Sequence, residues 1–416
     1  MTLLKTEKRP YLMKNTIQHY AWGQRGNIAF IPTFLGISPE PDKPYAELWM
    51  GTHKNGPSSI LIEEALVPLD RFIKHDPLKT LGKGTSKKFS DTFPFLLKIL
   101  SADDALSIQA HPNKKQAEIL HQEDPFHYPD DNHKPEVAIA LDSLDALAGF
   151  KNYNEILDTF KTCPELSDMV SKETCGTLHA FTHEADHQKQ TFLKSMYSEM
   201  LLTAERDPGR LEHTNNRIKD RLTSSTHLLT EDEILFINLE KKYATTDVGL
   251  LMIFLLKRIH LKKGEGIAIT PGLPHAYLKG NIIECMANSD NVVRAGLTPK
   301  FKDTKTLFRI LDYNTEKIPI IGAPAHKNDV LYHTPFEEFQ ISKMIISQGD
   351  KKTILSNNFP EILLVTNEKI RLYWGEKNLM ESMELKKGMS VFIPACLETV
   401  HICSDNQAEL YRVSVF

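Results

Sequence analysis

Residues 263–303 read KGEGIAITPGLPHAYLKGNIIECMANSDNVVRAGLTPKFKD. Short apolar runs in this stretch alternate with turns rich in proline, glycine, asparagine and aspartate, which is typical of β-strands joined by tight connections. Three side chains suited to chemistry lie along it: His275 on a Pro-Gly-Leu-Pro turn, Glu284 in a strand-like run and Arg294 beyond a polar turn. The stretch therefore predicts strands that carry functional side chains.

Two short segments far upstream add further polar side chains. They are LSIQAHPNK, residues 106–114, and DDNHKPE, residues 130–136. In a strand, alternation sends Ser107, Gln109 and His111 to one face and their apolar neighbours to the other. Glu136 follows a proline at the start of an apolar run.

Four of these residues offer the ligands of one metal site: Gln109, His111, Glu136 and His275. Two imidazoles, a carboxylate and an amide oxygen suit Zn²⁺ or a neighbouring first-row ion, and they leave room for water or substrate. The proline-rich turn restricts the backbone around His275. We predict one metal ion per chain in a site that is not a structural thiolate site.

Charged residues in the same segments form a second group. The cations, which a phosphate group would require, are Lys98, Lys134, Arg294 and Lys300. Glu284 shares a strand face with apolar residues, where an ionisable group is costly unless it has a partner or a task. Asp290 lies in an Asn-Ser-Asp-Asn turn, where aspartate is also an ordinary turn former.

Composition narrows the possible functions. The chain has 416 residues, of which 41% are hydrophobic and 25% charged, as in ordinary soluble proteins of two or three domains. A formal net charge of −4 argues against a general nucleic-acid or membrane-surface partner. The first residues lack the apolar region of a secretory signal, and five cysteines without a CxxC pair suit a reducing compartment. We expect a cytoplasmic protein.

Three regimes follow one another along the chain. The first, to residue 150, contains the strand-like runs Phe93–Leu100, Leu106–Ala110 and Val137–Leu141. The second, residues 151–260, has apolar residues at four-residue spacing and a capping-box start at Thr230, which predict helices. Its apolar run Val248–Leu256 is too short to span a membrane, and we interpret it as a buried helix.

The third regime returns to strands and contains a weak internal repeat. Leu261-Lys-Lys-Gly264 and Leu385-Lys-Lys-Gly388 each precede a short apolar run that ends at a proline. The first copy continues to His275, whereas the second offers no comparable ligand set. A duplicated β-barrel unit with one working copy explains this pattern, and chance similarity of two turns is the alternative.

Long motifs in the chain resemble those of type I mannose-6-phosphate isomerases, also called phosphomannose isomerases. The motifs are YAWG (20–23), AELWMGTH (46–53), FPFLLKIL (93–100), SIQAHP (107–112), NHKPE (132–136) and TPGLPHAYLKGNIIECMANSDNVVRAGLTPK (270–300). The resemblance spans nearly the whole chain and is weakest across the helical middle and the last eighty or so residues.

The resemblance implies a mainly β zinc enzyme built on cupin-type jelly-roll barrels. The catalytic cupin domain would comprise residues 1–150 and 261–325, with a helical insert at 151–260 and a cupin-like domain without metal at 326–416. The ligands would be the four residues named above, and Arg294 matches the position usually given as the active-site residue. We expect a monomer that acts on a small-molecule sugar phosphate.

The implied reaction interconverts mannose 6-phosphate and fructose 6-phosphate through a cis-enediol, supplying GDP-mannose synthesis or mannose breakdown. The sequence does not rank the candidate proton carriers, which are Glu284, Asp290, His133 and Lys134. We expect substrate or phosphate contacts from Lys98, Ser107, Tyr277, Lys300, Trp22 and Glu47. Two rival functions are an Fe²⁺ cupin dioxygenase and a sugar-phosphate-binding cupin without catalysis.

Overall fold

The computed structural model describes residues 5–178, 186–243, 245–316, 318–322, 329–376 and 379–415. The strands, in chain order, are β1 (Tyr11–Lys14), β2 (Thr16–Gln18), β3 (Glu47–Gly51), β4 (Ser59–Ile62), β5 (Ala65–Pro68), β6 (Phe95–Ala102), β7 (Ile108–Ala110), β8 (Glu136–Phe150), β9 (Leu256–Lys262), β10 (Glu265–Ile269), β11 (His275–Ala287), β12 (Val293–Gly296), β13 (Ile321–Gly322), β14 (Val330–Tyr332), β15 (Gln340–Ile346), β16 (Lys351–Leu355), β17 (Glu361–Asn367), β18 (Lys369–Trp374), β19 (Glu381–Lys386), β20 (Ser390–Ile393), β21 (Thr399–Cys403) and β22 (Ala408–Ser414).

Helices lie mostly in the middle of the chain. They are α1 (Phe30–Leu35), α2 (Leu69–His75), α3 (Pro77–Thr80), α4 (Gly82–Lys88), α5 (Lys114–Glu123), α6 (Tyr153–Thr162), α7 (Lys172–Thr177), α8 (Asp186–Arg206), α9 (Pro208–Thr223), α10 (Glu231–Tyr243), α11 (Gly249–Met252) and α12 (Thr304–Ile310), with 3₁₀ turns at Gly26–Ile28 and Pro164–Met169. Across the described ranges, no helix combines the length and apolar character needed to cross a lipid bilayer.

Antiparallel sheets dominate the described structure, which is mainly β as predicted. The first sheet has ten strands, with the path β13-β10-β8-β11-β6-β3-β2 and with β9, β7 and β12 attached to it. The second has eight strands in the order β14-β15-β22-β17-β20-β1-β4-β5, and the third has four in the order β16-β21-β18-β19.

Apolar side chains join these sheets through shared cores. Leu97 and Ile283 of the first sheet lie in one buried cluster with Ile362 and Phe392 of the second. A separate apolar cluster includes Leu363 of the second sheet and residues of the third. Burial of this kind stabilises a fold by roughly 25 cal/mol per Å² of apolar surface.

The strands predicted from apolar runs exist, with shifted ends. Phe93–Leu100 corresponds to β6, which begins and ends two residues later, and Leu106–Ala110 is reduced to the three residues of β7. Val137–Leu141 is part of β8, which continues for 15 residues to Phe150. The longer strand follows from pairing, because β11 and β9 bind the far end of β8 by hydrogen bonds that the local sequence does not reveal.

Two specific predictions for the helical middle of the chain are confirmed. The side chains at four-residue spacing, Phe192, Met196 and Met200, are buried on α8. At the start of α10, the Thr230 backbone N–H donates to the Glu233 carboxylate at 2.9 Å, and the Glu233 backbone N–H donates to the Thr230 hydroxyl at 3.3 Å. This reciprocal pair is a capping box.

The predicted helix over Val248–Leu256 was wrong in its extent. Only Gly249–Met252 is helical, and Leu256 already begins β9. A short apolar run without polar interruptions has no period, so burial alone cannot distinguish helix from strand. The Lys151 N–H donates to the Leu255 carbonyl at 2.9 Å, which guides the chain into the sheet.

The two repeated turns have the same backbone conformation. Gly264 and Gly388 both have φ of 85°, a region that favours glycine, and they precede β10 and β20. The proposed division of the chain stays a prediction, and its boundary at 325 and 326 lies outside the described residues. One strand pairing joins two of the predicted domains: β1 pairs with β20, with Tyr11 opposite Phe392.

Candidate active site

Three neighbouring strands bring distant segments of the chain together at Gln109. In the register of the first sheet, Gln109 on β7 is opposite His275 on β11 and opposite Arg294 on β12. Side chains that are directly opposite in antiparallel strands point to the same face and lie close together. The alternation predicted for β7 therefore places Gln109 beside two other predicted site residues.

His111, Glu136 and His275 form one buried group whose ligand atoms lie within 4.8 Å of one another. Nε2 of His111 lies 3.5 Å from Oε1 of Glu136, and Nε2 of His275 lies 3.4 Å from Oε2. The amide nitrogen of Gln109 lies 3.5 Å from Nε2 of His275, which places Gln109 beside this group. The structure thus brings together all four predicted ligands.

Hydrogen bonds to the backbone fix both imidazoles in one orientation. Nδ1 of His111 donates to the Asn291 carbonyl at 2.8 Å, and Nδ1 of His275 donates to the Leu273 carbonyl at 3.0 Å. Both Nε2 atoms therefore present lone pairs toward Glu136. Within the described ranges, His111 Nε2 and Glu136 Oε2 are buried without a hydrogen-bond partner.

Buried acceptors that face one another are unfavourable unless a cation lies between them. Two neutral imidazoles, a carboxylate and an amide are a donor set that Zn²⁺ accepts. Burial would raise the pKa of Glu136, but the charge of Lys134 and the neighbouring His111 outweigh burial and lower it well below its ordinary value. The carboxylate is therefore ionised and ready to bind a metal ion, so these residues fit zinc.

The predicted ligands line or underlie a cavity of about 600 Å³. Of the predicted site residues, those on its wall are Trp22, Glu47, Lys98, Ser107, Gln109, Lys134, Glu136, Tyr277, Glu284, Asp290, Arg294 and Lys300. A volume of this order suits a small substrate. His111 and His275 are buried behind this wall, at 0% and 1% exposure.

Lys98 lies between two carboxylates on the floor of the cavity. Its ammonium is 2.8 Å from Glu284 and 3.6 Å from Glu47, whose carboxylate also accepts from the indole N–H of Trp49. Burial would lower the pKa of Lys98, but the two carboxylates outweigh it and raise that pKa above its ordinary value. The charge of Lys98 is thus already balanced, which fits its predicted phosphate contact poorly.

Glu284 is the cavity carboxylate whose proton affinity is increased. It is 3% exposed, and burial raises its pKa although Lys98 opposes the change. A carboxylate with a raised pKa is a stronger base near neutral pH than an exposed one. Burial and the charge of Glu284 raise the pKa of Tyr277 well above its ordinary value, so this phenol keeps its proton.

Arg294 and Lys300 are cations without a carboxylate partner among the described residues. Burial lowers the pKa of Arg294, and burial together with the charge of Arg294 lowers that of Lys300. Two neighbouring positive charges repel each other until an anion binds between or beside them. This part of the cavity is therefore prepared for an anionic group.

Two of the predicted proton carriers are paired with other charged or ionisable side chains. His133 Nε2 lies 2.5 Å from the Glu338 carboxylate, and His133 is not on the cavity wall. Asp290 is on the wall, 3.0 Å from Nε2 of His53 and 3.4 Å from Lys54. Burial would raise the pKa of Asp290, but His53 and Lys54 lower it to about 2, which makes it a weak base.

Sequence reasoning missed several residues around the site. Trp49, His53 and Tyr243 line the cavity, and Tyr243 is the last residue of α10. The Asp130 carboxylate accepts from the backbone N–H of Asp290 at 2.7 Å and so holds the turn whose next carbonyl orients His111. The neighbouring motifs were visible, but no local pattern distinguishes such supporting residues from ordinary turn formers.

His111 should give the metal-free protein a defined pH dependence. Burial lowers its pKa from 6.5 to about 4, so between these values the unfolded chain binds a proton there that the folded chain does not. Stability from this group is therefore present above about 6.5 and is lost as the pH falls toward 4, by about 1.4 kcal/mol per pH unit at most. Urea unfolding of wild type and His111→Gln without metal measures the difference, and parallel pH curves would contradict it.

Known proteins similar to this chain share one family. Residues 11–153 match the model described as "Phosphomannose isomerase type I, catalytic domain". Mannose-6-phosphate isomerase 2 of Arabidopsis thaliana is 33% identical over 415 residues, covering 96% of this chain and 92% of that protein. Mannose-6-phosphate isomerase of Mus musculus is 37% identical over 420 residues, covering 94% and 99%.

Solved structures agree with the sequence relatives. A crystal structure of a phosphomannose isomerase point mutant from Salmonella typhimurium matches with a TM-score of 0.83 at 27% identity, covering 98% of this chain and 99% of that chain. A zinc-bound mannose 6-phosphate isomerase structure matches with a TM-score of 0.82 at 27% identity and the same coverage. The motifs, the fold and the relatives of this chain all agree, so the chain belongs to the type I phosphomannose isomerase family.

Proposed function

We propose that this chain is a zinc-dependent isomerase that interconverts mannose 6-phosphate and fructose 6-phosphate. The observation that carries this proposal is one cavity that joins a buried His-Glu-His group to two cations for which the described residues offer no carboxylate partner. Zinc would be held by His111, Glu136 and His275 with Gln109. When bound, it supplies fixed positive charge that stabilises negative charge on a substrate oxygen.

Glu284 is the proton carrier in this proposal. In the open-chain sugar it removes the proton from C2 while O1 gains a proton, which gives the cis-enediol. The proton then returns to C1 while O2 loses its own, which gives the ketose, so the net change moves one hydrogen from C2 to C1 and one from O2 to O1. The raised pKa of Glu284 and its place on the cavity wall support this role.

Four cations of the cavity have different roles in this proposal. Lys98 holds Glu284 in place through its 2.8 Å contact, so of the two lysines predicted to contact the phosphate we keep Lys300 alone in that role. Arg294 stabilises the charge that develops on the enediolate oxygens. Lys134, 3.3 Å from Glu136, balances the metal-binding carboxylate and faces the same cavity.

The finer architecture belongs to the same proposal. Residues 1–150 and 261–325 form the catalytic cupin domain, whose barrel is built on most of the first sheet, with 151–260 as the helical insert. Residues 326–416 form a second cupin-like barrel without metal. The buried apolar cluster between the second and third sheets supports this second barrel. We also propose a cytoplasmic monomer that serves mannose activation or mannose breakdown.

An isomerase assay in deuterium oxide tests this function against its two rivals. The zinc-loaded chain should form fructose 6-phosphate from mannose 6-phosphate and incorporate solvent deuterium at C1, because an enediol exchanges its proton with solvent. A binding protein without catalysis would retain the sugar phosphate unchanged. A dioxygenase would consume oxygen, and its activity would follow iron instead of zinc.

The four ligands should contribute unequally to metal retention. His275→Ala removes an imidazole held by the Leu273 carbonyl, whereas Gln109→Ala removes an uncharged amide oxygen, which is a weaker ligand. We expect His275→Ala to lose most of its zinc under dialysis that leaves Gln109→Ala largely loaded. Elemental analysis after identical dialysis measures the zinc content of both variants. Equal zinc contents, or more zinc in His275→Ala, would contradict the expected difference between the two ligands.

A further inference from the structure

A buried carboxylate of the helical insert holds the loop that carries Lys300. Asp247 lies between α10 and α11 and is 6% exposed. Its Oδ1 accepts from the backbone N–H of Gly249 at 2.7 Å and from that of Leu297 at 2.8 Å. Its Oδ2 accepts from the backbone N–H of Thr298 at 3.2 Å. Three amides from two separate segments therefore converge on one side chain.

The loop held in this way has an unusual backbone. Leu297 has φ of 55°, a left-handed conformation that is uncommon for residues other than glycine and costs free energy unless its surroundings hold it. Gly296 and Gly249 are in direct backbone contact, since a Cβ on Gly296 would lie 2.4 Å from the Cα of Gly249. The insert and the loop can approach this closely only because both positions are glycine.

A short chain of hydrogen bonds continues from this contact to the cavity. The Thr298 hydroxyl accepts from the backbone N–H of Lys300 at 3.1 Å. Leu297, Thr298 and Lys300 all line the cavity, and β12 with Arg294 immediately precedes them. Asp247 itself is not on the cavity wall, so it can act on a ligand only through the loop.

We propose that Asp247 is a positioning residue through which the helical insert sets the loop Leu297–Lys300 for binding the substrate phosphate. This inference rests on the proposed function, in which Lys300 contacts that phosphate. Without the Asp247 carboxylate, the buried amides of Leu297 and Thr298 lose their acceptor, and the left-handed turn at Leu297 relaxes. The ammonium of Lys300 then no longer occupies one position.

The test compares Asp247→Ala and Asp247→Asn with Glu165→Gln, all as full-length zinc-loaded chains. Glu165 is a matched control, because it is a buried carboxylate of the same insert whose partner is Arg221, at 2.8 Å. Asp247→Ala should raise KM for mannose 6-phosphate about tenfold and leave kcat within about threefold, the effect of lost binding without lost chemistry. Asparagine keeps one acceptor oxygen, so the KM of Asp247→Asn should lie between those of wild type and Asp247→Ala. Glu165→Gln should leave KM unchanged.

Hydrogen exchange at the amides of Leu297 and Thr298 tests separately whether Asp247 holds the loop in its conformation. Exchange at both should be faster in Asp247→Asn than in wild type, a result that does not depend on turnover. Faster exchange with unchanged KM would overturn the positioning role, and so would equal rises of KM in the Asp247 and Glu165 variants. If wild type shows no isomerase activity, the proposed function fails. In that case the affinity for inorganic phosphate should be measured by calorimetry for wild type and Asp247→Asn. Equal affinities of the two chains would overturn the inference.

Discussion

Replacing Glu284 by glutamine should lower kcat about 10³-fold, within the range expected for loss of a general base. Glutamine preserves the shape of the side chain but cannot accept the C2 proton. Glu284 is not among the metal-binding group, so zinc content should remain at the wild-type level. The measurement is steady-state kinetics with zinc analysis, together with deuterium exchange at C2 of mannose 6-phosphate, which should disappear.

The control for this variant is Glu47→Gln. Both carboxylates contact Lys98, at 2.8 Å for Glu284 and 3.6 Å for Glu47, so both variants remove one negative charge beside the same ammonium. Glu47→Gln should lose much less kcat and should still exchange deuterium. Equal losses in the two variants would mean that charge balance at Lys98, and not proton transfer by Glu284, limits the reaction.

Arg294→Lys should lower kcat by about 10²-fold or more, the scale of losing one preorganised charge donor, without loss of zinc. Lysine keeps the charge but lacks the planar pair of donors that a guanidinium presents. The structure motivates this expectation, because Arg294 lies opposite Gln109 in the sheet and has no carboxylate partner among the described residues. Circular dichroism must first match wild type.

Lys300→Ala provides the comparison for Arg294→Lys. If Lys300 binds the phosphate equally in ground state and transition state, its loss should raise KM and leave kcat near wild type. The two variants should therefore change different constants. If Arg294→Lys also raised only KM, Arg294 would be a binding residue, and its catalytic role would be lost.

Local patterns in the sequence, together with the family resemblance, were sufficient to select the candidate metal ligands that the structure brings close together. Alternation on β7 placed Gln109 and His111 on one side, and the proline-rich turn fixed His275 at the start of β11. The capping box at Thr230 was predictable for the same reason, since its hydrogen bonds span only three residues. Such features depend on neighbours in the chain, which a sequence displays directly.

Features that depend on distant neighbours were not predictable. His133 seemed available for catalysis because the partner that occupies it, Glu338, is 205 residues away. The apolar run from Val248 has no period of its own, and pairing with β8 decides where its strand begins. Asp247 carries no motif, and its hydrogen bond to the loop at Leu297, 50 residues away, is visible only in the folded chain.

The balance of charge in the cavity shows why the structure was needed to choose among the candidate proton carriers. Glu284 and Asp290 are both carboxylates in the same stretch of sequence, yet burial raises the pKa of Glu284 whereas the neighbouring His53 lowers that of Asp290. The difference arises from solvent exposure and from partners contributed by other strands. Sequence identifies such candidates, and three-dimensional surroundings distinguish them.

Zinc removal and restoration on the purified wild-type chain is the most direct test of the account. Zinc content and the rate of fructose 6-phosphate formation should be measured before chelation, after it, and after adding back Zn²⁺. We predict one zinc per chain at the start, loss of turnover in proportion to loss of zinc, and recovery on reloading. Wild-type turnover by a chain shown to contain no metal would contradict the account.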